Sequence, residues 1–259
     1  MTRARWALVE LAHTVAGHFE RGWRALPAAS TRAWARTILI GIGVTFAVLL
    51  LLILYGRYTL ERGEQLGWEV QLLQWIETHS PIGFSGAVWF QTFGTDIVLI
   101  IIVLSTASVA MWQEKPLLGL SILLSMVMMD AAVRIGWMSW ERLRPDIIAQ
   151  GIARPSEHSF PSGHTAKTLA VYGLLIAEWF RASRNPVEKL LAVIVFLIIA
   201  LGTPFGRVRM GVHWPTDVLG GWIISSIWLT FLFLALKSAE NAGAEPSEVD
   251  WSGEDDAVK

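Results

Sequence analysis

The chain has 259 residues, 53% of them hydrophobic and 17% charged, with a formal net charge of −1 and a positive mean hydropathy. That is too apolar for an ordinary water-soluble domain; the net charge decides nothing about partners, and nothing in the composition points to nucleic acid. The absence of cysteine excludes disulfides, thiolate catalysis and sulfur-ligated metals.

Residues 1–36 carry charges throughout and hold no long apolar stretch. They read as a basic, amphipathic cytoplasmic lead-in and not as a cleaved signal peptide. Residues 37–55 form an uncharged apolar run fenced by Arg36 and Arg57, long enough to cross a hydrocarbon core of about 30 Å at ~1.5 Å per residue. The polar segment 56–83 is expected outside the bilayer as one or two amphipathic helices. Further spans are expected at 97–112, 116–140, 164–180, 190–206 and 218–236, six in all. The tail after Lys237 is acidic and poor in apolar residues, the composition of a disordered segment. The expectation is an all-α, polytopic membrane protein in three parts: a lead-in (1–36), a six-span catalytic domain (37–237) and an acidic tail (238–259). Fourteen Trp against three Tyr, several at the ends of apolar runs, suit the headgroup region.

Basic residues in short loops set the orientation. The lead-in holds Arg3, Arg5, Arg21, Arg24, Arg32 and Arg36, and the loop between the fourth and fifth spans holds Arg181, Arg184 and Lys189, so both are expected in the cytoplasm. An even number of spans then puts both termini inside. For a bacterial chain this means an inner-membrane protein with its third and fifth connecting loops on the periplasmic face. Those two loops, ERLRPDIIAQGIARPSEHSFPSGH and GRVRMGVHWPTD, are nevertheless rich in Arg, and a breach of the positive-inside tendency asks for a functional cause.

Two spans separate these loops, so they emerge on one face and can meet in space. Together they bring Arg144, Ser162, Gly163, His164, Arg207, His213 and Asp217. Guanidinium forks match phosphate oxygens bidentately, a Ser hydroxyl and a Gly amide add fixed donors, and His164 stands where a helix is expected to begin. This is an oxyanion cradle. Clustered Arg would repel a metal ion and no metal-ligand spacing is present, so neither a metal nor another cofactor is expected.

Arg144-Pro145, then Pro161-Ser162-Gly163-His164, then Arg207 with His213 six residues on and Asp217 four further resemble the three-part signature of the type 2 phosphatidic acid phosphatases, the membrane branch of a superfamily that includes the vanadium haloperoxidases. The resemblance covers the third to the sixth span. It implies a metal-independent lipid phosphatase in which His213 attacks phosphorus, Asp217 orients its imidazole, and His164 protonates the leaving oxygen and then activates water. Arg144, Arg207, Ser162 and Gly163 would hold the nonbridging oxygens. Two positions depart from the signature. Trp137 stands where its Lys is expected, and Gly206 where Ser is usual. Arg134, one turn earlier on the same helix, and Lys167, one turn after His164, are the available replacements for that cation. Arg134 is preferred, because an Arg within an apolar span is costly unless it faces a polar site.

Arg142, Arg154 and Arg209 read as headgroup or solvent contacts, and His79 and His158 as ordinary loop histidines. Asp130 and Glu178 are intramembrane acids that either serve function, pair with Arg134 or sit near a span's end. Trp137, Trp140 and Trp214 are placed to line a lipid entrance. The resemblance favours hydrolysis of a lipid phosphate or pyrophosphate, with undecaprenyl pyrophosphate, phosphatidylglycerophosphate and phosphatidic acid as leading substrates. A lipid phosphotransferase and a catalytically idle lipid-binding protein remain as rivals, whereas the apolar spans argue against a soluble haloperoxidase. The sequence does not set the oligomeric state.

Overall fold

The structure, a computed structural model, describes residues 3–61, 67–145 and 157–244, and among these it is helical throughout apart from one isolated β-bridge. Nine helices follow one another among the described residues: α1 (Arg3–Ala25), α2 (Ala28–Glu61), α3 (Gly67–His79), α4 (Phe84–Thr92), α5 (Asp96–Trp112), α6 (Pro116–Ser139), α7 (Gly163–Ala182), α8 (Pro186–Arg209) and α9 (Pro215–Ala244). Proline opens α6, α8 and α9, where its fixed φ suits the first turn and its missing N–H costs nothing. The Asn185 side chain caps α8 by accepting from the Val187 N–H at 2.9 Å.

Each expected span has its helix. Five stretches are long and apolar enough to cross a membrane: Ala28–Leu60, Phe84–Trp112, Pro116–Ser139, Pro186–Arg209 and Pro215–Ala244. The sixth, α7, falls below that apolarity because its first half carries His164, Thr165, Lys167 and Thr168. Those groups do not need to suit lipid, since α7 packs against α6, α8 and α9 and is buried almost continuously from Gly163 to Leu174. By contrast, α2, α5 and α8 turn rows of Leu, Ile and Val outward, among them Leu50, Leu54, Ile101, Leu104, Leu190 and Leu201, which is the surface a hydrocarbon solvent requires. Trp228, Leu232, Leu174 and Met129 lie in the core between.

Three boundaries differ from expectation, one of them at the acidic tail, whose residues 238–244 continue α9 as regular helix. The first span starts at Ala28, well inside the expected lead-in, and continues without a break to Glu61, because no helix-breaking residue separates the apolar run from its flanks. The rest of the polar segment forms α3, which does not lie free. It buries Leu73 and Ile76 against Val208 of α8 and Val218 of α9. These contacts place α3 at the end of the bundle where α6 and α8 finish and α7 and α9 begin.

Candidate active site

The chain leaving α6 and the chain entering α7 are stitched together. Ser159 N–H donates to the Arg142 carbonyl at 2.8 Å and Arg144 N–H to the Glu157 carbonyl at 3.2 Å, with an antiparallel bridge between Leu143 and His158. The following loop, whose Phe160–Pro161 peptide is cis, lies tightly on α6: a Cβ on Gly136 would stand 2.3 Å from Pro161 Cδ. Ser162 then caps α7, and its N–H donates to the Asp217 carbonyl at 3.0 Å. The start of α7 is thus bonded to the first turn of α9. At the end of α8 the chain reverses through Gly211, at φ 63°, a conformation in which a side chain would be strained, and this turn returns His213 beside Arg207. All the sequence-predicted residues except Arg134 therefore converge on one end of the bundle.

His213 is buried, with Nδ1 3.3 Å from Asp217 Oδ2. A carboxylate only accepts, so this contact puts the imidazole proton on Nδ1 and leaves a lone pair on Nε2. Asp217 Oδ2 also accepts from the Trp214 N–H at 2.9 Å, and Oδ1 accepts from Arg142 Nη1 at 2.7 Å. Arg144 donates to the Val212 carbonyl at 2.6 Å, and its Nη1 lies 3.0 Å from His213 Nε2 and 3.5 Å from Nδ1. With the proton on Nδ1, the Nε2 lone pair faces the Arg144 guanidinium, which donates to it. Burial, and then the charges of Arg144 and Arg207, hold His213 well below the usual histidine range, so the ring is neutral at physiological pH.

Around it stand donors. Thr165 Oγ1 donates to Ser162 Oγ at 3.0 Å, leaving the Ser162 proton free to point elsewhere. Gly163 and His164 open α7, whose N-terminal amides favour an anion. Arg207 donates through Nη1 to the neutral Gln91 side chain of α4 at 2.5 Å. Its Nε, like His164 Nε2, is buried and has no hydrogen-bond partner among the described residues. Buried donors left open in one place, ringed by positive charge, are what an absent anionic ligand would satisfy.

Residues 117–240 match the model of the PAP2 superfamily. Over that stretch the chain is similar to the members of that superfamily. It is 28% identical to the undecaprenyl-diphosphatase of Sulfolobus acidocaldarius over 200 residues, covering 74% of this chain and 89% of that protein. It is 36% identical to the phosphatidylglycerophosphatase B of Bacillus subtilis over 97 residues, 36% of this chain and 44% of that protein. No solved structure matches it. The chain is a membrane phosphatase similar to these proteins.

Both departures of this chain from the signature have a structural reason. At Gly206, α4 passes so close that a Cβ would lie 2.7 Å from the Ala87 carbonyl oxygen. Trp137 donates through Nε1 to the Pro161 carbonyl at 3.3 Å and stands 6.0 Å from Arg144 Cζ across its ring, so it braces the Arg144 loop where a Lys would reach for phosphate. Arg134, expected to fill that vacancy, is not brought to it. Its side chain is 67% exposed and is held by Asp130 at 2.6 Å one turn away on α6. Lys167 is buried beside Gly163, pairs with Asp96 and lies 3.6 Å from Asp130.

Arg142 was expected at the interface, in contact with headgroups or solvent. It is buried instead, donates to both Asp217 and Glu69 at 2.7 Å, and lies over the rings of Trp140 and Trp214. Trp140 and Trp214 therefore clamp Arg142. An isolated Arg two residues from a motif carries no mark of its partners, which arrive from α3 and α9. Gln91 and Glu69 lie outside the matched stretch, and only their contacts in the fold reveal them. Arg209 donates to the Ile82 carbonyl at 3.2 Å, away from the cluster. His79 stacks on Trp75, and Glu178 pairs with Arg181. Arg154 lies outside the described residues.

Proposed function

We propose that this phosphatase hydrolyses a lipid phosphate or pyrophosphate monoester through a phosphohistidine, without a metal. The observation that carries this reading is the buried His213, tied through Nδ1 to Asp217 with Nε2 turned to the Arg144 guanidinium that would hold the phosphate, under the charges of Arg144 and Arg207. The Nε2 lone pair forms the N–P bond while the P–O bond to the lipid breaks, and His164 gives its proton to the departing oxygen. His164 then takes a proton from water as that water attacks phosphorus, releasing phosphate and restoring His213. Arg144, Arg207, Ser162 and the Gly163 amide hold the nonbridging oxygens as charge spreads over them. For the cation missing at Trp137, burial beside Gly163 favours Lys167, with Arg134 acting from the flank through their shared partner Asp130.

The names of the relatives direct attention to undecaprenyl pyrophosphate and phosphatidylglycerophosphate, with phosphatidic acid next. The basic lead-in and the loop between α7 and α8 orient both termini to the cytoplasm and the site to the outer face of a bacterial inner membrane, around a six-span unit that opens at Ala28. The test is a panel of these lipids assayed for phosphate release by the purified protein in detergent with EDTA. Release on at least one lipid, blocked by vanadate and lowered about a thousandfold or more in His213→Ala, is the expected result, with Lys167→Ala costing more than Arg134→Ala. Transfer of phosphate to an added lipid alcohol in place of release would make the chain a phosphotransferase, and inactivity throughout would make it an idle lipid binder.

A further inference from the structure

α3 lies outside the stretch that matches the PAP2 superfamily, yet it puts a carboxylate into the catalytic end of the bundle. Glu69, Leu73 and Ile76 share one face at helical spacing. Leu73 and Ile76 are the apolar anchors that dock α3 onto α8 and α9, and Glu69, 2% exposed, reaches past them. Both its oxygens are used. Oε2 accepts from Arg142 Nη2 at 2.7 Å. Oε1 accepts from the Thr216 N–H at 3.0 Å and from Thr216 Oγ1 at 2.7 Å, in the first turn of α9, where a negative charge meets unpaired amides and the positive end of the helix dipole.

Arg142 is thereby held between two carboxylates, Glu69 on one side and Asp217 on the other. A buried guanidinium with one counter-charge would give its whole charge to Asp217, drawing the carboxylate's electron density away from the His213 Nδ1–H. With Glu69 present the charge is shared, and Asp217 keeps enough basicity to orient the imidazole. The same residue fixes Thr216, the immediate neighbour of Asp217, from the backbone side.

We infer that Glu69 is a positioning residue of the phosphatase reaction, acting through Arg142 and Thr216 on the Asp217–His213 pair. This rests on the reading of His213 as nucleophile and Asp217 as its orienting group. It gives the polar segment between the first two spans a function: α3 supplies the counter-charge that the catalytic end lacks in its own helices.

The experiment compares Glu69→Gln and Glu69→Asp with the wild type in detergent, measuring kcat, KM, vanadate inhibition and melting temperature. Glu69→Gln keeps shape and loses charge. It is expected to lower kcat about tenfold or more while KM and the vanadate inhibition constant stay within about threefold, because the phosphate-holding groups are untouched. Glu69→Asp keeps the charge but cannot span both partners, so its kcat falls between the other two. A kcat for folded Glu69→Gln within about twofold of wild type, or a loss shared equally by vanadate binding, overturns the inference. If Glu69→Gln is not recovered folded, Glu69→Asp decides: a threefold to tenfold loss of kcat with unchanged vanadate inhibition supports the role, and any other pattern refutes it. His213→Ala and Asp217→Asn run alongside. Should they retain activity, the nucleophile reading itself fails; should they be inactive while Glu69→Gln is not, only the role of Glu69 falls.

Discussion

The surroundings of His213 suit the nucleophile proposed for it. Burial and two guanidinium groups keep His213 neutral, and this has a consequence for stability as well as for chemistry. In the unfolded chain its imidazole takes a proton near pH 6.5, while in the folded chain it does so only at lower pH. Between those two values the unfolded state binds the extra proton. The contribution of His213 is therefore fully present above about pH 6.5 and is lost as the pH falls below it, at up to roughly 1.4 kcal/mol per pH unit, or about 3 to 6 °C in melting temperature for a chain of this size. Melting curves in detergent from pH 8 to pH 5 should thus fall more steeply for wild type than for His213→Gln. Parallel curves would show that His213 takes its proton equally well folded and unfolded.

At the scale of helices, the close approach of α4 to α8 governs what position 206 can hold. Gly206→Ser would restore the residue usual in the signature, yet its Cβ would meet the Ala87 carbonyl at 2.7 Å, and backbone cannot step aside as a side chain can. The substitution is expected to destabilise the protein by about 1–3 kcal/mol, as overpacking does, and to lower activity by shifting Arg207 away from Gln91. Melting temperature and turnover of Gly206→Ser check this, and an unchanged protein would mean that α4 yields. The same elements show what was legible in the sequence. The apolar runs marked α2, α5, α6, α8 and α9 because lipid demands apolarity along a whole helix, and the three motif pieces announced their meeting because two spans separate them. Arg142 and Glu69 were not legible. Their meaning lies in a contact between residues 73 positions apart, and an ionisable side chain looks the same in sequence whether it is solvated or paired. Arg134 was preferred for its place on an apolar helix, but such a residue can equally pair along its own helix, as it does with Asp130.

Across the whole molecule, polar chemistry is confined to one end of an apolar bundle, and that end carries open donors. Arg207 meets a neutral amide, and its Nε and His164 Nε2 lack partners among the described residues. An anion bound there relieves a cost borne by the entire fold, so ligand binding and global stability are linked. Orthovanadate at about a hundred times its dissociation constant should stabilise the protein by about 2.7 kcal/mol, which is roughly 5 to 10 °C in melting temperature. A flat melting temperature at concentrations that abolish turnover would place the anion outside the buried cluster. Finally, the single hydrogen bond from Ser162 N–H to the Asp217 carbonyl joins the beginnings of α7 and α9. When a bilayer thins or thickens, its helices answer by tilting, and two helices pinned at one end can splay only at the other. His164 and His213, the proposed acid/base and nucleophile, sit at the pinned end, so the spacing between them is insulated from the thickness of the membrane in which the enzyme works.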